Sequence, residues 1–451
     1  MITRIQFIVY LALFAVSAGA EASRARLHEI ADAPSATRIQ RDIEKLVSFG
    51  TRHTLSETQS DSRGIGAARR WIEAEFRTIS KACGGCLKVY TQSRVFQNQR
   101  RIPEPTEVVN VVAVLTGISD PNRYLIMSGD IDSRISDPLN ASDESPGAND
   151  NASGMAGTIE AARVLSQYEF PASIIFVGLS GEEQGLFGGK IMAEQAREDD
   201  WQIEAVLNND MIGNITGING VTNNVTARVF SEATRPMETS IEARTRRFTG
   251  GEVDSPSRNV ARYIDKVADD YIRNLDVMMI YRLDRFGRGG HHRPFNEVGY
   301  PAVRIMETNE HYDRQHQDIR TENGREYGDV LSGVNFDYAA KMTALNAVSL
   351  AAMALAPAPP IDVSIEGIVS PDTTLKWVKV PGAVNYKVYW RLTTASQWQW
   401  SRESGDVTEL TLKNVVIDNY IFGVASVGKD GIESPVVFPG PIGSFSYVTK
   451  K

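Results

Sequence analysis

Between residues 108 and 305, apolar runs of strand length alternate with stretches whose apolar positions recur at helical spacing, and the strands stop at acids. Residues 108–115, 124–128, 173–179, 205–207 and 302–305 read as strands that are mostly apolar, the pattern of strands buried on both faces. Between them, residues 153–168 carry Met155, Ile159, Ala162, Val164 and Leu165 at helical spacing, and a further helix begins near Leu186. This alternation predicts an α/β domain with a mostly parallel mixed sheet covered by helices on both faces. In such sheets ligands bind beyond the carboxyl ends of the strands. The polar residues at those ends are where chemistry is expected.

One strand ends in Asp130-Ile131-Asp132, the next in Glu182-Glu183 and a third in Asp210. Between the first two, Asp150 lies in a Gly-rich loop, residues 146–154, at a helix start. Taken alone, any of these acids reads as a helix cap or a solvated loop residue. Gathered at one sheet edge they would repel one another unless cations neutralise them, so the set asks for metal. Only two Cys and six His are present, which excludes a Cys-rich zinc scaffold and leaves carboxylates as the main ligands.

The rest of the chain frames this domain. Residues 1–20 read as a signal peptide, with Arg4, an apolar stretch and Ala18-Gly19-Ala20 as the cleavage site. This predicts a secreted or periplasmic protein with no membrane span after cleavage. In that compartment Cys83 and Cys86 are expected to form a local disulfide, worth about 2 kcal/mol at best for so short a loop. Lys and Arg number 48 against 56 Asp and Glu, a net charge of −8, so there is no basic surplus for nucleic acid. A catalytic domain is predicted over residues 21–355, a Pro-rich linker over 356–362, and a small all-β sandwich over 363–447. The strands around Trp377, Tyr386 to Trp390 and Tyr420 to Ala425 resemble a fibronectin type III domain, which implies contact with a surface or polymer rather than chemistry.

The acid series resembles the secreted zinc aminopeptidase family that also includes glutamate carboxypeptidase and glutaminyl cyclase. The resemblance covers residues 40–350. It rests on Pro146, Gly147, Asp150, Ser153 and Gly154, on Gly181-Glu182-Glu183-Gln184-Gly185, and on Asn209-Asp210-Met211. It implies an exopeptidase acting on peptides through a metal-activated water, with one or two zinc ions. Asp150 would bridge two metals, Asp210 would bind the first and Glu183 the second. Glu182 would be the general base, and Asp132 would orient the first ligand. Two histidine segments compete for the last ligand. The resemblance favours His316, with His311 as the alternative register and His291 and His292 as supporting or substrate-facing residues.

Two departures stand out. Asp130 replaces the family's first ligand histidine, so oxygen donors alone would make the first position. Such a position favours a harder ion or weak occupancy. His291 stands where the family usually has Asp, which counts against a glutaminyl cyclase-like acyltransferase. A third reading, a catalytically impaired adhesion protein, is opposed by the retained Glu182. Three further features are open at this level. Arg282, Arg285 and Arg288 read as solvated ion pairs more readily than as a substrate grip. The segment 52–54, Arg52-His53-Thr54, reads equally as cleft lining or plain loop. Residues 214–288 read as an insertion walling the cleft, containing a helix that starts at Ser255-Pro256.

Overall fold

The computed structural model describes residues 21–446; the predicted signal segment, residues 1–20, and the predicted end of the sandwich at Tyr447 lie outside the described residues. The strands of the larger unit are β1 (Leu87–Phe96), β2 (Thr106–Leu115), β3 (Asp120–Asp130), β4 (Ala172–Leu179), β5 (Gln202–Asn209), β6 (Thr226–Ser231), β7 (Asp276–Ile280) and β8 (Ala302–Glu307). They form one eight-stranded sheet in the order β1-β2-β4-β3-β5-β8-β6-β7. The centre, β4-β3-β5-β8, is parallel, while β1, β2 and β6 join it antiparallel. The helices are α1 (residues 21–32), α2 (Ala36–Val47), α3 (Gly64–Ala82), α4 (Ala152–Leu165), α5 (Glu182–Gly185), α6 (Phe187–Glu198), α7 (Ser240–Thr249), α8 (Pro256–Tyr271), α9 (His292–Glu297) and α10 (Phe336–Leu355).

The apolar strands are buried on both sides, as their composition requires. Along β4, Ile174 and Phe176 face the core formed with α2, α3, α4, α8 and α10, whereas Ile175 and Val177 face a second core with α6 and α9. Helix α10 is long and apolar enough to cross a bilayer, yet 89% of its apolar window is buried inside the domain. Helix α4 starts close to two strand ends because it begins with glycine. A Cβ on Gly154 would lie 2.3 Å from the Asn209 carbonyl oxygen, and one on Gly129 would lie 2.5 Å from the Gly154 backbone. This close approach brings the loop holding Asp150 against the ends of β3 and β5.

The segment 214–288 is more than a wall. It contributes β6 and β7 to the edge of the main sheet, which the sequence reading did not anticipate because both strands are short and carry charges, Arg228 and Asp276. Helix α8 does begin at Ser255 and Pro256, and the Ser255 hydroxyl accepts from the Arg258 amide. Cys83 and Cys86 are joined in a disulfide between the end of α3 and the start of β1.

After α10 the chain builds two three-stranded antiparallel sheets. One is β11 (Ile361–Glu366), β12 (Thr373–Val378) and β15 (Glu409–Leu412); the other is β14 (Trp400–Gly405), β13 (Ala383–Leu392) and β16 (Tyr420–Gly428). Leu375, Trp377, Tyr386, Val388, Phe422 and Val424 pack between them. The smaller unit is anchored to the larger by a buried ion cluster. Both Nη2 contacts of Arg391 fall on Asp254, at 2.7 and 2.9 Å, and Arg262 of α8 reaches the same carboxylate at 3.1 Å.

Candidate metal centre and active site

Parallel pairing aligns the strand ends. Asp130 closes β3 opposite Leu179 of β4, and Gly129 pairs with Asn209 of β5, so Asp130, Glu182 and Asp210 emerge at one edge. Glu182 and Glu183 open the single turn of α5, whose first residue follows Gly181 in the left-handed region at φ 73°. His316 comes from the loop after β8 and is itself left-handed, with φ 54°. Met211 and Leu186 share that conformation at φ 62° and 64°. Non-glycine residues seldom adopt it, and here three of them border the same site.

Asp150, Glu183 and His316 converge: His316 Nε2 lies 2.9 Å from Asp150 Oδ2 and 3.0 Å from Glu183 Oε1. Among the described residues this is the one group of potential metal donors at the sheet edge whose ligand atoms all lie within 4.8 Å of one another. Each donor has a second support. Arg134 Nε is 2.7 Å from Glu183 Oε2 and its Nη2 is 2.7 Å from His316 Nδ1. Asp329 accepts from the backbone amides of Asn149 and Asp150, the latter at 2.6 Å. Gln315 Nε2 donates to Asp150 Oδ2 at 3.2 Å. Burial disfavours the charged imidazolium, but the Glu183 and Asp150 carboxylates outweigh it and lift His316 to about 9. Burial alone would raise the two carboxyls; the His316 charge instead holds both below their ordinary range.

Asp150 does not cap α4. Asn151 does, accepting from the Gly154 amide, and this leaves the Asp150 carboxylate free to face His316.

Asp130 and Asp210 do not join this cluster. Asp130 Oδ1 is 2.6 Å from His291 Nδ1, and its Oδ2 accepts from Asn151 Nδ2 at 2.7 Å. Asp210 Oδ2 is 2.6 Å from Arg304 Nη2. Arg304 is fully buried and also bridges to Asp284 at 3.1 Å. Asp132 does not have Asp130 among its hydrogen-bond partners. It accepts instead from the amides of Glu182 and Glu183 and from the Thr54 hydroxyl, and so fixes the turn that presents both glutamates. Glu182 is half-buried, and burial followed by the nearby Glu183 and Asp210 charges raises its carboxyl well above the usual range. Burial raises Asp210 to about 8, against the opposing pull of Arg304.

The histidines separate by role. His292 is buried behind the site, with Nε2 on the Leu283 carbonyl at 2.9 Å. His311 stands outside the donor cluster, and the Arg314 amide bonds to its carbonyl. The segment 52–54 lies under the site: Arg52 is buried and donates to the carbonyls of Ile131 and Gly147, while His53 Nε2 meets Gln184 at 3.0 Å. Arg285 is not a solvated loop ion. Its side chain is buried against Asp284 and Glu310 because the loop folds back onto β8.

Sequence reasoning passed over Arg134, Asn151 and Arg304. Arg304 carried a usable signal: it is the lone charge inside the apolar run Ala302-Val303-Arg304-Ile305, and a buried strand tolerates a charge only when it is paired.

The matches to known proteins agree with this geometry. Residues 110–332 match peptidase family M28. A protein of Pyrenophora tritici-repentis described as a probable zinc metalloprotease is 43% identical over 420 residues, covering 92% of this chain and 87% of that one. The chain belongs to peptidase family M28. A probable zinc metalloprotease of Pyricularia oryzae is 42% identical, with 90% of this chain and 82% of the relative covered. Among solved structures, the LapA aminopeptidase of Legionella pneumophila shares the fold with a TM-score of 0.52 at 20% identity, over 74% of this chain and 75% of that one. The predicted α/β class and metallopeptidase membership are met.

Proposed function

We propose that this chain is a secreted zinc aminopeptidase in which Asp150, Glu183 and His316 hold the ion and Glu182 is the general base. The observation that carries the reading is the convergence of those three donors one residue away from a half-buried glutamate of raised pKa. One imidazole and two carboxylates suit zinc, whose donors at bond lengths of about 2.0–2.2 Å stand roughly 3.3 Å apart in a tetrahedron. The present spacings of 2.9 and 3.0 Å are close to that. When bound, zinc polarises the scissile carbonyl and makes water acidic enough to lose a proton near neutral pH. Glu182 takes that proton as the water attacks and delivers it to the departing amine, a role matched to a carboxyl whose affinity for protons is raised. Asp132 keeps Glu182 in place through the amides of the α5 turn. The acidic surroundings favour a free α-ammonium over a free carboxylate, which supports action at the amino terminus.

The smaller β unit is read as a fibronectin type III-like module that contacts a surface or polymer; its two three-stranded sheets around Trp377 support this. The test is a panel of aminoacyl anilides against their N-acetylated counterparts, run with zinc-loaded protein. Cleavage of the free amines alone is expected. Equal cleavage of blocked substrates would refute amino-terminal specificity, and ring closure of an N-terminal Gln peptide without hydrolysis would refute the peptidase reading.

A further inference from the structure

Six carboxylates crowd the sheet edge: Asp130, Asp132, Asp150, Glu182, Glu183 and Asp210. Resting on the zinc reading above, we propose that this chain binds one divalent ion per active site, and that Arg304 and His291 stand in for a second. Of the four acids left over once Asp150 and Glu183 serve the ion, Asp132 holds the α5 turn and Glu182 is the base, and the other two are already engaged from within. Asp130 spends one oxygen on His291 and the other on Asn151. Asp210 is gripped by Arg304, a cation that cannot dissociate and that is fixed on its far side by Asp284 and the Gly289 carbonyl.

The sequence changes are coherent with one another. Aspartate at residue 130 would leave an uncompensated acid beside Asp210, and histidine at residue 291 supplies a donor to it at 2.6 Å. Arginine is suited to the place beside Asp210. Its planar fork can reach two carboxylates at once, and it stays charged when buried between them. Two buried atoms could still serve a second ion, since Asp210 Oδ1 and His291 Nε2 have no hydrogen-bond partner. They do not meet a third donor within 4.8 Å among the described residues, and a zinc site needs at least three protein ligands. Arg304 acts through Asp210 and is a positioning residue, with the substrate kept from it by complete burial.

The experiment is metal stoichiometry on the full chain, by elemental analysis after dialysis against zinc and by anomalous scattering from crystals at the zinc edge. One zinc per chain, with a single peak among Asp150, Glu183 and His316, is expected. Two tight zincs, with a second peak between Asp210 and His291, would overturn the inference while leaving the peptidase reading intact. No tight zinc at all would overturn both. Arg304→Gln combined with Asp130→His, which frees Asp210 and supplies the missing third donor, adds a readout that a purely structural role would not move: zinc content should rise from one toward two per chain, while Asp130→His alone stays at one. A folded double variant that still holds one zinc in excess metal would overturn the role given to Arg304. Should that variant not fold, the wild-type stoichiometry decides alone.

Discussion

Replacing Arg391 with Met should separate the two folded units energetically. Both Arg391 and Asp254 are fully buried, and the guanidinium reaches the carboxylate twice, at 2.7 and 2.9 Å. Removing one partner of such a pair costs about 3–5 kcal/mol, mostly because the remaining charge stays buried. Arg262 still reaches Asp254 at 3.1 Å, which places the expected loss near the lower bound, about 3 kcal/mol. Met fills the volume of the arginine stem, so packing contributes little to the difference. Urea unfolding followed by tryptophan fluorescence reports mainly on the smaller unit, since Trp377, Trp390, Trp398 and Trp400 all lie there. The wild type should unfold with the two units coupled, and Arg391→Met should show an earlier transition for the smaller one. Adding Asp254→Asn leaves the buried Arg262 without its carboxylate and should cost about a further 1 kcal/mol or more. A loss under about 1 kcal/mol in the single variant, or no further loss in the double, would refute the ion cluster as the anchor.

Two further outcomes follow from the geometry. Arg134→Gln removes the group that steadies both Glu183 and His316, so zinc affinity should fall about 10–100-fold in chelator competition while the fold is retained. Asp265 of α8 is raised to about 6 by burial, against an ordinary value of 3.8, so its native form prefers the proton. Its contribution to stability is complete below about pH 4 and is lost as pH rises through about 6. Asp265→Asn, which keeps an acceptor for Gln397, should therefore stabilise the protein by about 1 kcal/mol at pH 8 and by nothing measurable at pH 4 in thermal melts.

What could be read from the sequence, and what could not, divides along physical lines. The central strands were legible because burial on both faces forces an apolar run, and the residues after them were legible because acids there need a cation. Asp150 and Glu183 were found this way and His316 through the family resemblance, and the three stand together. β6 and β7 were not legible: both are short and carry a charge, and β7 is the part-exposed edge strand, so neither Thr226–Ser231 nor Asp276–Ile280 shows the long apolar run of the central strands. The partners of Asp130 and Asp210 were hidden for another reason. His291 and Arg304 lie about 160 and 94 positions away in the chain, and only the fold brings them to those carboxylates. Asp132 shows the same limit. Its place beside the acids was expected, but its actual work, holding the α5 turn by two backbone amides, depends on where β4 ends.

The most direct test is to compare zinc-loaded wild type with Glu182→Gln on one free-amine anilide while measuring zinc content in the same samples. Glu182 is not among the three donors, so zinc should stay bound, and the amide cannot accept the proton of the attacking water. Hydrolysis should then fall by about 100–10,000-fold, the usual contribution of a general base. Unchanged hydrolysis with zinc in place would contradict the assignment of Glu182 and the mechanism built on it.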